Sequence, residues 1–386
     1  MNKVTHLEVI MTELTRRSML KMMGACATAA CAPVMLSSKA FAGERDKELN
    51  ILCWEGYNSA DVLDPYRKLT GASVKAESAT NDPTMVNKLR AGETKIWDLI
   101  NVNNPWARKV LFPEGLITPL DDKVFAPYFE NMLPTFKYPY SWAMSEDGTK
   151  LLGMVQRFGP YNFVVNTDKI SRETAEKTGW KLWADDSLNG KYAINEADDW
   201  NVAHMFTIAG IDPYKEHTAD EMAAFEKTCK RIFGNAKFVG DIAAVNQALV
   251  NGDIDAYISG GTYTASLARA EGLDNIRAIS PLENALMWVE VTSVVNNPVH
   301  SPLAEDFLKH VQDPEVAHTV AFAEGTFNPV AQMGNKKCFD LFTSDELDAI
   351  QWDSLEEEMS RSRAYDIVPD YDKAHDIMVE AKRTKG

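Results

Sequence analysis

Beyond its first 42 residues the chain has no apolar run long enough to cross a bilayer, so no helix anchors its body in a membrane. Basic charge is in short supply: 40 Lys and Arg face 56 Asp and Glu, a formal charge of −16. Nucleic acid needs a basic face, and it is excluded as a partner. Cysteine is scarce as well. Of five cysteines, Cys26 and Cys31 fall in the N-terminal segment, which leaves Cys53, Cys229 and Cys338. These are odd in number and far apart, so they form at most one disulfide and read as buried free thiols. With no C-x-x-C and no close His/Cys cluster, neither a metal site nor a cofactor is expected. G-x-S-x-G, H-E-x-x-H and a phosphate loop are missing, and the seven histidines are scattered. An enzyme is therefore not expected. A glycosidase using paired carboxylates needs no local motif and stays as the enzyme alternative. No repeat and no low-complexity tract appears, which excludes a solenoid.

What is present begins with Thr15-Arg16-Arg17-Ser18-Met19-Leu20-Lys21, an uncharged run from Met22 to Leu36, and Ala40-Phe41-Ala42. Arginine pair, weakly apolar run and small–x–small cleavage site follow in the order of an export signal. The segment resembles a twin-arginine signal of the form S/T-R-R-x-x-L-K, with Met19 where Phe is usual. Thr28-Ala29-Ala30-Cys31 lacks the bulky aliphatic residue of a lipoprotein site. The expected mature protein starts near Gly43 and works in a bacterial periplasm. Residues 1–42 carry five basic and two acidic side chains, which leaves 35 against 54 and a formal charge of −19. The remaining 344 residues suit two domains.

Apolar periodicity sets the organisation. Leu49–Trp54, Ser73–Glu77 and Trp97–Val102 read as strands. Ser59–Leu69, N-capped by Ser59 and stopped by Gly71, and Pro83–Ala91, with Gly92 behind it, read as helices. This β-α-β-α-β order implies parallel pairing with helices on both sheet faces. The pattern returns with strands at Asn162–Val165, Tyr192–Ile194 and Ile254–Ser259 and helices at His204–Ala209, Ala219–Phe233 and Ile242–Asn251. Trp288–Val295 is a further apolar strand able to carry the chain between halves. Two helical runs follow at Ser301–Gln312 and Pro314–Ala323. Two α/β lobes leave a cleft beyond the carboxyl ends of their strands, where ligands collect.

From about Leu49 to Gln332 the chain resembles the periplasmic substrate-binding proteins of ABC importers, of the spermidine/putrescine-binding type. The matching pieces are Trp54-Glu55-Gly56-Tyr57, Trp97-Asp98-Leu99-Ile100, Glu114-Gly115-Leu116-Ile117-Thr118-Pro119-Leu120-Asp121, Phe158-Gly159, Val165-Asn166-Thr167-Asp168-Lys169-Ile170 and Trp288-Val289-Glu290. The resemblance implies an α/β, two-lobed periplasmic-binding-protein fold of type II. Each lobe is a mixed, mostly parallel sheet flanked by helices, with ligand in the interlobe cleft. Lobe 1 is expected at 48–157 plus 291–332, and lobe 2 at 158–290 plus 333–386 with the C-terminal helices. It further implies a monomeric carrier that captures a small cationic or zwitterionic, amine-containing ligand, closes on it and delivers it to a membrane permease. A sensor that docks on a membrane receptor is the alternative, since the same fold serves both.

Carried over residue by residue, Trp54 and Tyr57 fall where the family stacks aromatic rings on ligand methylenes. Glu290 falls where a carboxylate holds an ammonium, with Trp288 two residues before it on the same strand face. The chain departs from the family elsewhere. Ala197 and Trp200 replace an acidic pair on the second lobe, with Asp198 and Asp199 adjacent but out of register and read as charges at a helix start. Asn103 and Pro105, with Trp106 beside them, replace Ser and Tyr ligand positions. Ile258 replaces a tryptophan, next to Ser259 at a strand end, and Thr326 replaces a tyrosine. Arg157 adds a fixed positive charge able to hold a carboxylate bidentately. The candidate ligand-binding set is Trp54, Tyr57, Asn103, Trp106, Arg157, Trp200, Ser259, Trp288 and Glu290, with Tyr161 and Tyr263 as further cleft candidates. It favours a ligand with one amine and a polar or acidic far end, such as an amino-acid-like zwitterion, with a short polyamine as the alternative.

Overall fold

The computed structural model describes residues 45–79, 81–323 and 327–383. The expected export signal and Thr326 lie outside the described residues.

The strands β1 (Glu48–Trp54), β2 (Ser73–Ala79) and β3 (Leu99–Asn103) pair in parallel, with β1 between the other two. Their residues alternate between two cores. Leu49, Ile51, Cys53 and Leu99 enter one, while Leu52, Ile100 and Val102 enter the other on the opposite face. That burial on both faces explains the near-continuous apolar runs of these strands. The helix Ala60–Thr70 begins after Ser59, which has the extended backbone of an N-cap but makes no side-chain cap bond. It ends at Gly71, whose φ of 68° needs glycine's freedom and whose N–H reaches the Arg67 carbonyl. The helix Asp82–Arg90 is capped by Asn81, whose side chain accepts from the Thr84 N–H.

Two long strands, β5 (Met154–Asn166) and β10 (Ala285–Val295), are buried along their whole lengths and run through both halves. β4 (Ile117–Thr118) joins the first half. β6 (Tyr192–Asn195), β7 (Phe238–Gly240), β8 (Ala256–Gly261) and β9 (Ile276–Ile279) build the second. β11 (Ser362–Ala364) adds to β10. The main path of the sheet is β2-β1-β3-β10-β5-β8-β6-β7. β10 pairs antiparallel with β3 and β5, so it carries the chain between the lobes as its apolar sequence suggested. The expected α/β two-lobed fold is present.

The second lobe has its own cores, with Phe163, Val165 and Ile194 on one sheet face and Val164, Ala193 and Tyr257 on the other. Residues 333–342, expected with the second lobe, pack in the first through Met333, Cys338 and Phe342, whereas the next segment also reaches the second lobe, where Arg269 donates to the Asp348 carbonyl, Gln351 accepts from the Ala278 N–H and Ser280 donates to Glu358. The terminal helix Tyr371–Arg383 sends Ala374, Met378 and Ala381 into the second lobe's core. Local periodicity marks that a helix has an apolar face but not which lobe covers it. Cys53, Cys229 and Cys338 are buried free thiols, as their spacing implied.

Candidate functional site

The site grows from an irregularity in the two crossover strands. Val289 stands opposite Phe158, but Val291 stands opposite Val155, so Gln156 and Arg157 together face Glu290. This bulge turns both charged side chains toward one place. Arg157 grips Glu290 with Nε to Oε2 at 3.0 Å and Nη2 to Oε1 at 3.1 Å, and both side chains are more than nine-tenths buried. Tyr57 donates its hydroxyl to Glu290 Oε2 at 2.6 Å, and its ring lies 4.3 Å under the guanidinium. Nη2 also donates to the Glu55 carbonyl at 3.0 Å. Gly56 lets the chain pass close by: its φ is 95°, and a Cβ there would sit 2.9 Å from the Ala323 Cβ. Burial alone would lower the Arg157 pKa, but Glu290 and Tyr57 carry it above its ordinary value. Burial and the Glu290 charge push the Tyr57 phenol up. The cluster is an internally neutral ion pair at the crossing between lobes.

A chamber of about 160 Å³ opens on this pair, lined by Trp54, Asn103, Tyr161, Trp200, Tyr263 and Trp288 among others. Aromatic rings run along its wall and on beyond it to Tyr365. Tyr365 lies 4.4 Å from Trp200, Trp200 4.7 Å from Tyr161, Tyr161 stacks on Tyr263 at 5.6 Å, and Trp288 meets Tyr263 edge-on at 6.2 Å. Such faces attract methylenes and cations. Trp288 Nε1 is a buried donor with no partner.

The chamber continues into a larger one of about 790 Å³ that shares Trp54, Glu55, Asn103, Trp200, Ile242 and Tyr263 with it. Six carboxylates line the larger chamber: Glu55, Asp82, Glu196, Asp198, Asp199 and Asp241. Asp82, at the start of its helix, is only 3% exposed. It accepts from Trp54 Nε1 at 2.9 Å, Asn103 Nδ2 at 2.8 Å and the Asn103 N–H at 3.1 Å. Burial nevertheless pushes its pKa up to about 7, with the Asp199 charge adding to the rise. Asp198 and Asp199 occupy the first turn of the helix Asp198–Ile208, as read from sequence. Asp199 accepts from the Tyr371 hydroxyl at 2.6 Å, and burial raises its pKa. Burial also opposes ionisation of Asp198, but its bonds to Lys382 and His375 hold its pKa down.

The candidate set thus divides. Trp54, Asn103, Arg157, Trp200, Trp288 and Glu290 line the inner chamber together, with Tyr161 and Tyr263. Three candidates stand back from it. Tyr57 is buried beneath Arg157 and braces the ion pair instead of stacking on ligand. Trp106 packs against the core that holds Leu52 and Val102. Ser259 is fully buried, donating to Asn201 Oδ1 at 2.6 Å with His204 Nδ1 at 2.7 Å, because the strand end turns its side chain inward. The roles read for Glu290 and Arg157 also change. Each was expected to hold a charged end of the ligand, yet each neutralises the other. Asp82, Asn195, Tyr365, Tyr371 and Lys382 were missed. For Asp82 a signal existed: Asn81-Asp82-Pro83 opens a helix just past the carboxyl end of β2, where such folds place ligands. The other four come from segments with no motif.

Residues 61–337 match the family model described as bacterial extracellular solute-binding protein. Among curated proteins, none matches this sequence. Solved structures with the same fold are numerous. The PotD spermidine/putrescine ABC transporter substrate-binding protein of Streptococcus pneumoniae, in complex with calcium and HEPES, is 16% identical with a TM-score of 0.65, over 88% of this chain and 100% of that one. The binding protein MotA of A. tumefaciens, in complex with glucopine, is 14% identical with a TM-score of 0.60, over 87% and 99%. AgtB of A. tumefaciens, in complex with agropinic acid, is 17% identical with a TM-score of 0.55, over 87% and 96%. At these identities the likeness is one of fold.

Proposed function

The chain belongs to the bacterial extracellular solute-binding proteins, a family of carriers and not of enzymes, and on that premise we propose that it is the periplasmic binding component of an ABC importer for a small amine-bearing cation. The observation that carries this reading is the charge of the cleft. Six carboxylates line the outer chamber against a single lysine, Lys382, which is committed to Asp198. Arg157, the other cation of the cleft, is cancelled by Glu290. A ligand that leaves water for such a wall must bring positive charge. The aromatic run from Tyr365 to Trp288 suits the methylenes of a short polyamine. The twin-arginine segment around Arg16-Arg17 would take the folded protein to the periplasm, and the receptor-docking alternative differs only in its membrane partner. Among the described residues no helix is long and apolar enough to cross a membrane.

A zwitterionic ligand is the second reading. The unpartnered Trp288 Nε1 favours it, since that donor asks for a ligand acceptor in the inner chamber. Mass spectrometry of ligand released from gently purified protein tests the proposal. Recovery of an unchanged amine supports it, and recovery of an anion without an amine overturns it.

A further inference from the structure

The terminal helix Tyr371–Arg383 turns two adjoining faces inward. Ala374, Met378 and Ala381 enter the second lobe's core. Tyr371, His375 and Lys382 follow one another at spacings of four and seven, which puts them together on the next face. That face meets the first turn of the helix Asp198–Ile208. Lys382 Nζ donates to Asp198 Oδ1, His375 Nε2 lies 3.3 Å from Asp198 Oδ2, and the Tyr371 hydroxyl donates to Asp199 Oδ1 at 2.6 Å. Tyr371 stacks on His375 with ring centroids 5.4 Å apart, and Lys382 Nζ stands 5.7 Å from the Phe233 ring. One helix of the chain itself therefore engages both carboxylates. Lys382 still faces the outer chamber, with its side chain 22% exposed.

A lysine side chain ends as an alkyl diamine ends, in methylenes and an ammonium. Here that ammonium lies against a carboxylate and near an aromatic ring, the surroundings a ligand's far amine would need. With the position filled from within, a second ligand ammonium would meet Lys382 and be repelled. A hydroxyl or carbonyl at that end brings no positive charge and can accept from the lysine, which has three donors.

We propose that Lys382 is a specificity-determining residue: a built-in ammonium that fills the second-lobe end of the outer chamber and restricts the protein to ligands with one ammonium and a polar far end free of positive charge. The inference rests on the cationic-ligand reading and narrows it from polyamines to monoamines. Selection of this kind comes from a repulsive element in the site.

Matched probes test it: putrescine against aminobutanol, and cadaverine against aminopentanol, each pair equal in length and different only in the second ammonium. Titration calorimetry of the mature protein with all four reads the ratio of diamine to monoamine affinity. Wild type should bind the amino alcohols more tightly. Lys382→Met keeps the packing of the stem, removes the charge and should shift the ratio at least ~tenfold toward the diamines. Lys382→Arg should keep the wild-type ratio, and adding Asp198→Asn to Lys382→Met should cancel the shift. Lys382→Gln carries the test if Lys382→Met does not fold. A loosened helix would lower both affinities of a pair together, so a merely structural role predicts no change in the ratio. If an amine binds wild type but the diamine is preferred at equal length, or the ratio stays within about threefold in the foldable variant, this inference falls and the cationic reading stands. If none of the four amines binds wild type or variant, both fall.

Discussion

Arg157 and Glu290 hold each other where the crossover strands slip register, so that two residues of β5 oppose one of β10. The pair sits on the connection between the lobes and forms one end of the inner chamber. A buried guanidinium beside an aromatic ring, with its carboxylate pinned by a tyrosine, is a device for fixing geometry. It leaves little charge over for a ligand.

Breaking that pair should act on stability before it acts on binding. Glu290→Gln and Arg157→Ala each leave a buried charge without its partner, and each should cost about 3–5 kcal/mol in urea unfolding. The double replacement Arg157→Met with Glu290→Leu should recover most of the loss, since a packed apolar pair avoids the desolvation. Single variants within about 1 kcal/mol of wild type would show that the pair is not held tightly in solution.

Trp200 stands in the middle of the aromatic run, between Tyr161 and Tyr365. Trp200→Ala should lower amine affinity by about 0.5–2 kcal/mol through lost cation–π and methylene contact. Titration calorimetry reads this directly. Unchanged affinity would remove Trp200 from the ligand face.

His204 is fully buried, with Nε2 3.0 Å from the Tyr161 carbonyl, and burial presses its pKa down to about 3. The unfolded chain protonates it near pH 6.5. A depressed folded value means that its contribution is complete above pH 6.5 and is lost as pH falls toward 3. Its ring resonances should stay at neutral-imidazole positions to about pH 5 in NMR titration. A midpoint near 6.5 would contradict the buried neutral ring.

Replacing Arg16 and Arg17 with lysines should leave precursor in the cytoplasm, where fractionation and immunoblotting would find it. Normal periplasmic appearance of that double variant would refute the twin-arginine route.

Much of the architecture was legible because it is local. Leu49 to Trp54 is apolar at every position but Asn50, as suits a short strand buried on both faces, and Gly71 ends its helix at a positive φ that glycine adopts without strain. Aromatic residues and carboxylates near strand ends were legible as cleft material for the same reason. Charge pairing was not. Residues 157 and 290 are far apart in sequence, and nothing in either neighbourhood shows that a bulge will bring Nε within 3.0 Å of Oε2. Ser259 and Trp106 stand back from the chamber because a strand end can turn a side chain inward, and because the helical turn Asn104–Trp106 after β3 lays the indole on a core, with no mark of either in the local pattern.

Sequence by itself determined that this is an acidic α/β chain with two lobes, no catalytic motif and a strand that crosses between halves. Periodicity, composition and short motifs act over a few residues, and that is the range on which a chain folds its strands and helices. Only the tertiary structure decided which charges remain available. It cancelled Arg157 against Glu290, tied Lys382 to Asp198, and set Asp82 and Asp199 on one chamber. Electrostatics in a buried cleft depends on distances between residues from separate elements and on the water they exclude, and neither quantity is written in any one segment.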